Sequence, residues 1–361
     1  MTGIPAFDIV ASNVRGLGAI QLAQSLLPAI ERVAGDALGK VWLPADGALH
    51  GYRGALPDDR YVPVRRSLPN ALSRVAECLW PGRIYPSDRA LIVLGDLPLR
   101  HPGRQIVFAH RPHLVRGVEA GSTGSAITAA ISQRIFALNQ GYIDHLVVQT
   151  EAMQAGLVRT CPTIAGRTHI IAQPAPEWLL SNPIVRTGRV DSAGAAPLRL
   201  FFPAAIYPHK NHQLLFRYVA EATPQSPSVE ITLTCDLPVG MTKNPRLNFV
   251  GRLDPEAMRA HYRTTDALLF PSLEESYGLP LVEAILMGLP VICADLPYAR
   301  ALCGEGAVYF DPHSTGSLAQ AIGEMQANLD RGKWPDWSNQ RTRFPPSWDA
   351  VAEAMIELVG R

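Results

Sequence analysis

The sequence of 361 residues has few lysines, and they stand out against its many arginines. Lysine occurs only as Lys40, Lys210, Lys243 and Lys333, yet the chain is balanced at 33 basic against 32 acidic side chains. A net charge of +1 excludes a nucleic-acid binder that is held by bulk positive charge. The scarcity of lysine makes each of the four positions more informative than an average arginine.

Cysteine is also scarce, and its pattern excludes the usual structural uses. The five cysteines are odd in number, no C-x-x-C pair occurs, and no histidine follows at zinc-finger spacing. A disulfide framework or a structural zinc site is therefore not expected. We predict reduced and buried thiols.

Long apolar runs are missing as well. None approaches the roughly 20 residues that a membrane-spanning helix needs, and the first residues show no basic segment followed by an apolar stretch, so no signal peptide is predicted. We expect a cytoplasmic protein. Peripheral contact with the inner membrane face is left open, because residues 1–180 carry 17 basic against 13 acidic side chains.

Short apolar runs alternate with longer helical patterns along the chain, which is typical of βαβ units. Residues 174–198 are rich in Pro, Gly, Ser and Ala and form the predicted linker, while residues 44–69 are interpreted as an irregular excursion. We expect an α/β protein with two Rossmann-like doubly wound domains, over residues 1–180 and 181–345, facing a cleft. A C-terminal helix is predicted over residues 346–361, and whether it crosses back to the first domain is left open.

The strongest local pattern is P-S-L-E-E-S-Y-G-L-P-L-V-E-A, which follows a predicted buried strand from Pro271 onward. It describes a loop with acids and a glycine that leads into a helix, whose first N–H groups form an anion site. We place Glu283 in the first turn of that helix and Glu275 in the loop. Two carboxylates around an anion site suit a nucleotide sugar; a capped helix with solvated acids is the alternative.

A second pattern, F-F-P-A-A-I-Y-P-H-K-N-H, repeats the order of strand, loop and helix start, with the helix predicted from Asn211. Lys210 lies where the helix dipole disfavours a cation unless an anion is bound beside it. A lysine there can neutralise a departing diphosphate; the alternative is a surface residue near a helix end.

Together these patterns resemble the retaining glycosyltransferases of the GT-B fold, and within them the family 4 group with its E-x7-E motif, here Glu275 to Glu283. The runs F-V-G-R-L-D-P-E-A-M and A-I-L-M-G-L-P-V-I are similar to that group too, and parts of residues 85–175 resemble enzymes of surface-polysaccharide pathways. The resemblance implies a hexosyltransferase that uses a GDP- or UDP-sugar, such as GDP-mannose, and a glycan or lipid-linked acceptor. Lipopolysaccharide biosynthesis is the implied pathway.

The resemblance also implies roles for single residues. Glu275 would contact the donor sugar, Glu283 the ribose, and Lys210 the diphosphate. The diphosphate or sugar would also meet the backbone amides of the loop and helix start, which belong to Ser276, Tyr277, Gly278 and Leu279.

In the first domain, the Gly16-Leu17-Gly18 turn precedes a helix that we predict from about Ala19. By resemblance, Gly16 and Gly18 would approach the donor, although a lone G-x-G fits a tight strand–helix turn equally well. His110 or His113, after a predicted strand, would lie near the donor sugar, with His110 as the catalytic candidate beside Lys210 and Glu275. A structural role is the alternative for either histidine.

The sequence differs from common glycosyltransferase patterns at two points. The family usually carries an arginine five residues before the lysine, and here that position is Ala205; Arg252 or Arg15 are candidate substitutes. No D-x-D motif, which often holds a divalent metal on the diphosphate, occurs in the sequence. Lys210 and the helix dipole are therefore expected to neutralise the diphosphate, with no metal and no cofactor.

Two other functions are left open. One is a non-catalytic subunit with the GT-B fold, which Ala205 suggests. The other is a nicotinamide-dependent oxidoreductase that uses the Gly16 turn, although Gln21 stands where the third glycine of that fingerprint belongs.

Overall fold

In the computed structural model the chain forms two compact units, and the structure describes residues 4–65, 70–110, 114, 123–189 and 196–361. Unit 1 comprises Met1–Pro176 and Pro345–Arg361, and unit 2 comprises Glu177–Phe344. The chain therefore leaves unit 1, forms the whole of unit 2 and then returns. Part of the predicted linker, residues 190–195, lies outside the described residues.

A parallel sheet forms the centre of unit 1. Its strands within the described ranges are β1 Phe7–Val10, β2 Leu38–Pro44, β3 Tyr61–Val64, β4 Ala90–Val93, β5 Gln105–Phe108, β6 His145–Val148 and β7 Thr168–Ile170. They lie in the order β3-β2-β1-β4-β5-β6-β7, and each neighbouring pair is parallel. Apolar and largely buried strands such as β4 are expected where helices cover both faces of a parallel sheet.

Unit 2 repeats this design. Its strands, again within the described ranges, are β8 Leu198–Phe202, β9 Val229–Leu233, β10 Leu247–Phe249, β11 Ala267–Phe270, β12 Val291–Ala294 and β13 Val308–Phe310. The order is β10-β9-β8-β11-β12-β13, all parallel. The strand order reverses between β1 and β4 in unit 1 and between β8 and β11 in unit 2. In open α/β sheets, ligands bind beyond the carboxyl ends of the strands at such a switch point.

Helices connect the strands. They are α1 Leu17–Ala34, α2 Asn70–Leu79, α3 Thr123–Asn139, α4 Glu151–Thr160, α5 Glu177–Leu180, α6 His212–Ala220, α7 Pro255–Thr264, α8 Leu279–Met287, α9 Pro297–Cys303, α10 Thr315–Asp330, α11 Ser338–Arg341 and α12 Trp348–Gly360. This alternation of parallel strands and helices confirms the predicted α/β class with two Rossmann-like domains.

The C-terminal helix α12 belongs to unit 1. It packs against α1, and the buried indole of Trp348 donates a hydrogen bond to the Ala175 carbonyl at 2.8 Å. An ion pair of 2.6 Å joins Arg32 of α1 to Asp349 of α12. The first and last segments of the chain therefore share one core.

The structure also bears on the predictions about the cysteines and about membrane-spanning helices. All five cysteines fall in the described part of the chain, where they are buried and form no disulfide, in agreement with the expected reduced thiols. No helix among the described residues is both long and apolar enough to cross a membrane.

Candidate active site

The sheet of unit 2 brings the two sequence patterns together. β8 and β11 are parallel neighbours, with Leu200 opposite Ala267, so the loops that follow them begin side by side. The Leu273 amide of the second loop donates a hydrogen bond of 2.7 Å to the His209 carbonyl of the first. The candidate site therefore lies at the switch point of the second sheet.

Lys210 is presented by a short turn that a neighbouring asparagine fixes. Residues Pro208–Lys210 form a 3₁₀ turn, and Asn211 follows in the left-handed conformation with φ of 58°. The Asn211 side chain donates to the carbonyls of Pro271 at 3.2 Å and Pro312 at 2.9 Å. Because of this turn, α6 begins at His212, one residue later than predicted. The turn anchors Lys210 to the loops after β11 and β13.

Lys210 and Glu275 form an ion pair with an Nζ–Oε1 distance of 2.5 Å. The two side chains are only 17% and 11% exposed, and the ammonium group also lies 5.6 Å from the centre of the Phe270 ring. Partial burial lowers the effective dielectric, so charges here interact more strongly than at an open surface. The structure thus places a cation and a carboxylate in direct contact, which the sequence patterns did not indicate.

Helix α8 begins directly after this loop, as predicted. Its N-cap is Gly278, in the left-handed conformation with φ of 87°, which glycine adopts readily and other residues rarely. Ser276 and Leu279 are partly exposed, whereas Tyr277 is buried. The start of a helix attracts anions because of its dipole and its N–H groups.

Glu283 corrects one prediction. It is the fifth residue of α8 rather than part of the first turn, and it is 2% exposed. Its Oε2 accepts a hydrogen bond of 2.5 Å from the phenol of Tyr262, which lies on α7. The helix starts at Leu279 as predicted, but a turn holds only 3.6 residues, so Glu283 falls in the second turn, where its side chain meets Tyr262 of the neighbouring helix.

Tyr262 and His209, both near this site, have shifted pKa values. Burial, and then the charge of Glu283, raise the pKa of Tyr262 well above its usual value, so the phenol stays protonated. Burial, and then the charge of Lys210, lower the pKa of His209. At neutral pH the positive charge in this part of the site therefore comes from Lys210 and not from His209.

In unit 1 the glycine turn is a helix start rather than a separate turn. α1 begins at Leu17, two residues before the predicted Ala19, so Gly16 is its N-cap and Gly18 lies inside its first turn. Gly16 has an ordinary φ of −71°, and a Cβ at either glycine would meet no described atom within 4 Å. Nothing in the described fold therefore requires glycine at these two positions.

His110 lies just beyond the end of β5 and is 9% exposed. Its backbone amide donates a hydrogen bond of 2.7 Å to Asp96 Oδ1, and its Nδ1 lies 3.2 Å from the same oxygen. Asp96 follows β4 and has a left-handed backbone with φ of 69°. His110 and Asp96 thus form a buried pair near the switch point of the first sheet. His113 lies outside the described residues.

The substitute for the missing arginine is not identified among the described contacts. Ala205 is partly exposed in the loop after β8. Arg15 forms a 2.6 Å ion pair with Asp46 within unit 1, and Arg252 is exposed in the loop after β10.

Sequence reasoning missed two residues that the structure adds to these groups, Tyr262 and Asp96, and it missed the hydrogen bonds of a third, Asn211. Asn211 belonged to the recognised P-H-K-N pattern, so its place beside Lys210 was visible, although its two bonds were not. Tyr262 and Asp96 act through partners 21 and 14 residues away, and no spacing rule connects such residues.

Similarity to known proteins also indicates a glycosyltransferase. Residues 197–328 match the family model described as Glycosyl transferases group 1. The serotype-specific mannosyltransferase WbdA of Escherichia coli is 32% identical over 114 residues, which are 32% of this chain and 14% of that protein. Across eight curated relatives, the match covers 13% to 41% of the relative's own length.

Solved structures match over nearly the whole chain. Sucrose-phosphate synthase from Thermosynechococcus elongatus is 17% identical with a TM-score of 0.69, and the match covers 98% of both chains. HepE from Anabaena, in complex with UDP and glucose, is 16% identical with a TM-score of 0.62 and 99% coverage of both chains. At these identities the likeness concerns the fold. Residues 197–328 are thus similar to group 1 glycosyl transferases, the chain as a whole has the two-domain GT-B fold, and its curated relatives include a serotype-specific mannosyltransferase.

Proposed function

We propose that the protein is a retaining glycosyltransferase of the family 4 type that moves a hexose from a nucleotide-diphosphate sugar to a glycan or lipid-linked acceptor. The observation that carries the proposal is the contact of Lys210 with Glu275, at a sheet switch point and beside the start of α8. A positive group, a carboxylate and a helix start are what a sugar diphosphate needs. The match of residues 197–328 to group 1 glycosyltransferases favours this function over an oxidoreductase.

In the proposed reaction, the bond between the anomeric carbon and the β-phosphate oxygen breaks early, which leaves positive charge on the sugar. Lys210 and the amides at the start of α8 stabilise the negative charge that grows on the diphosphate. The acceptor hydroxyl attacks from the same face, and its proton passes to the departing phosphate oxygen. The new glycosidic bond therefore keeps the anomeric configuration of the donor.

The two acids take different parts in this proposal. Glu275, in the loop, would meet a hydroxyl of the donor sugar once the diphosphate competes for Lys210. Glu283, deeper in α8, would accept hydrogen bonds from the ribose hydroxyls. The charge of Lys210 and the dipole of α8 would serve where other transferases hold a divalent metal with a D-x-D motif, which this sequence lacks. We therefore propose that donor binding needs no metal.

For the donor we propose GDP-mannose or a UDP-hexose. WbdA is named a mannosyltransferase, which supports the first, and HepE was solved with UDP and glucose, which supports the second. The word "serotype-specific" in the name of WbdA supports a role in surface-polysaccharide or lipopolysaccharide biosynthesis. A lipid-linked acceptor would bring the protein to the inner face of the membrane, as a cytoplasmic and peripheral enzyme.

A thermal-shift panel tests this function directly. Full-length protein is heated with GDP, UDP, GDP-mannose, UDP-glucose and NAD, each with and without EDTA. We expect one nucleoside diphosphate and its sugar to raise the melting temperature in both conditions, and NAD to leave it unchanged. Stabilisation by NAD alone would contradict a glycosyltransferase, and stabilisation that EDTA abolishes and Mn²⁺ or Mg²⁺ restores would contradict metal independence.

The stereochemistry needs a second measurement. The donor selected by the panel is incubated with the protein and candidate acceptors, and the anomeric proton coupling of the product is read by NMR. A product with the donor's anomeric configuration agrees with the proposal, whereas the opposite configuration would show an inverting enzyme.

A further inference from the structure

We propose that Tyr262 is a positioning residue, whose phenol holds the carboxylate of Glu283 in the orientation that receives the ribose hydroxyls of a nucleoside diphosphate. The inference rests on the proposed function, which gives Glu283 its contact with ribose. Tyr262 itself would not touch the donor.

The contact between the two side chains is short and buried. The Tyr262 hydroxyl lies 2.5 Å from Glu283 Oε2, and the two residues are 0% and 2% exposed. They belong to different helices, α7 and α8, so the bond fixes one helix against the other. A carboxylate has about four acceptor positions, and the bond to the phenol occupies one of them.

The bond has a fixed direction. Burial and the charge of Glu283 keep the phenol protonated, so Tyr262 donates and Glu283 accepts. A buried carboxylate without a donor is costly, and it can rotate toward any other donor it finds. The phenol therefore helps to fix the plane of this carboxylate.

Tyr262 is itself held from several sides. Its ring is perpendicular to that of Phe201, with the centroids 5.1 Å apart, and it stacks on Trp178 with a centroid distance of 6.5 Å. The buried guanidinium of Arg186 donates to the Tyr262 carbonyl at 2.7 Å, and the Arg186 amide donates to the Met287 carbonyl at 2.7 Å. Arg186 thus ties together the ends of the two helices that carry Tyr262 and Glu283, which is the support a positioning residue needs.

This role makes a selective prediction. Removal of the phenol should weaken recognition of the ribose hydroxyls, while the diphosphate site at Lys210 stays intact. A purely structural role would instead weaken every ligand together. The informative quantity is therefore the ratio of two affinities and not one affinity alone.

The test uses calorimetry on the full chain with three probes: GDP or UDP, the 2′,3′-dideoxy form of the same nucleotide, and inorganic pyrophosphate. The variants are Tyr262→Phe, Glu283→Gln and both together. Tyr218→Phe is the matched control, because Tyr218 is also a buried tyrosine of unit 2 but lies on α6. Thermal unfolding of each variant checks that it is folded.

We expect wild type and Tyr218→Phe to prefer the ribose form over the dideoxy form. Tyr262→Phe should reduce that preference about tenfold, the order expected for a lost hydrogen bond to a charged group, and should leave pyrophosphate binding unchanged. The double variant should lose no more than Glu283→Gln alone. A preserved ratio, or equal weakening of all three probes, would overturn the inference. If wild type binds neither diphosphate, the proposed function fails and the inference with it.

Discussion

Lys210 and Glu275 are 65 residues apart in the chain, yet their side chains meet at 2.5 Å. The contact exists because β8 and β11 are adjacent and parallel, so that the loops after them start from the same edge of the sheet. Neither side chain is more than one-fifth exposed. A diphosphate that binds the Lys210 ammonium must therefore compete with a carboxylate already beside it.

Lys210→Ala should lower turnover strongly. A charge that meets developing negative charge on a leaving group contributes roughly 3–4 kcal/mol, which corresponds to about 10²–10³ in rate. Lys243→Ala removes an exposed lysine of the same unit and should leave the rate unchanged. Steady-state kinetics with the donor found by the panel measures both. Wild-type activity in Lys210→Ala would remove this residue from the reaction.

Glu275→Gln should lower kcat and at the same time tighten binding of the nucleoside diphosphate by a few-fold. The amide no longer pairs with Lys210, so the ammonium group is freer to bind phosphate, while a contact to the reacting sugar is lost. Calorimetry with the diphosphate and kinetics with the donor sugar separate the two effects. If diphosphate binding becomes weaker and kcat is unchanged, the roles of Glu275 and Glu283 have been exchanged.

Asn211 should stabilise unit 2 through two separable effects. Asn211→Gly keeps the left-handed conformation but loses the bonds to Pro271 and Pro312, which should cost about 2 kcal/mol at about 1 kcal/mol for each bond. Asn211→Ala adds the cost of a Cβ in that conformation, about 1 kcal/mol more. Urea unfolding measures the difference. Equal stability of the two variants would show that the backbone conformation contributes nothing.

His212 should make the protein less stable at acid pH. Burial lowers the pKa of His212 to about 4 from a usual value of 6.5, so between these values the unfolded chain binds a proton that the folded chain does not. Stability should therefore fall as the pH is lowered from about 6.5 to 4, by on the order of 3 kcal/mol from this group. His212→Leu should flatten this part of the profile. The comparison is made by urea unfolding across this pH range, and identical slopes in the two proteins would contradict the assignment.

Strands such as β4 and β11 were predictable because both faces of such a sheet are buried, which leaves short apolar runs in the sequence. β2 and β7 were not predicted. β3 was hidden within the supposed irregular excursion, since it contains Pro63; a proline is tolerated there because β3 is the edge strand. Lys210 and Glu275 could be located from the order of strand, loop and helix start. The burial of Glu283 could not, because it depends on Tyr262 from another helix.

The return of α12 to α1 has a consequence for how the protein is made. Unit 2 is contiguous in the chain, so it can fold as soon as its own residues have left the ribosome. Unit 1 cannot complete its core at that point, because Trp348 and the rest of α12 are synthesised after all of unit 2. The domain that begins first is therefore finished last, and its α1 surface stays uncovered while the second domain is translated.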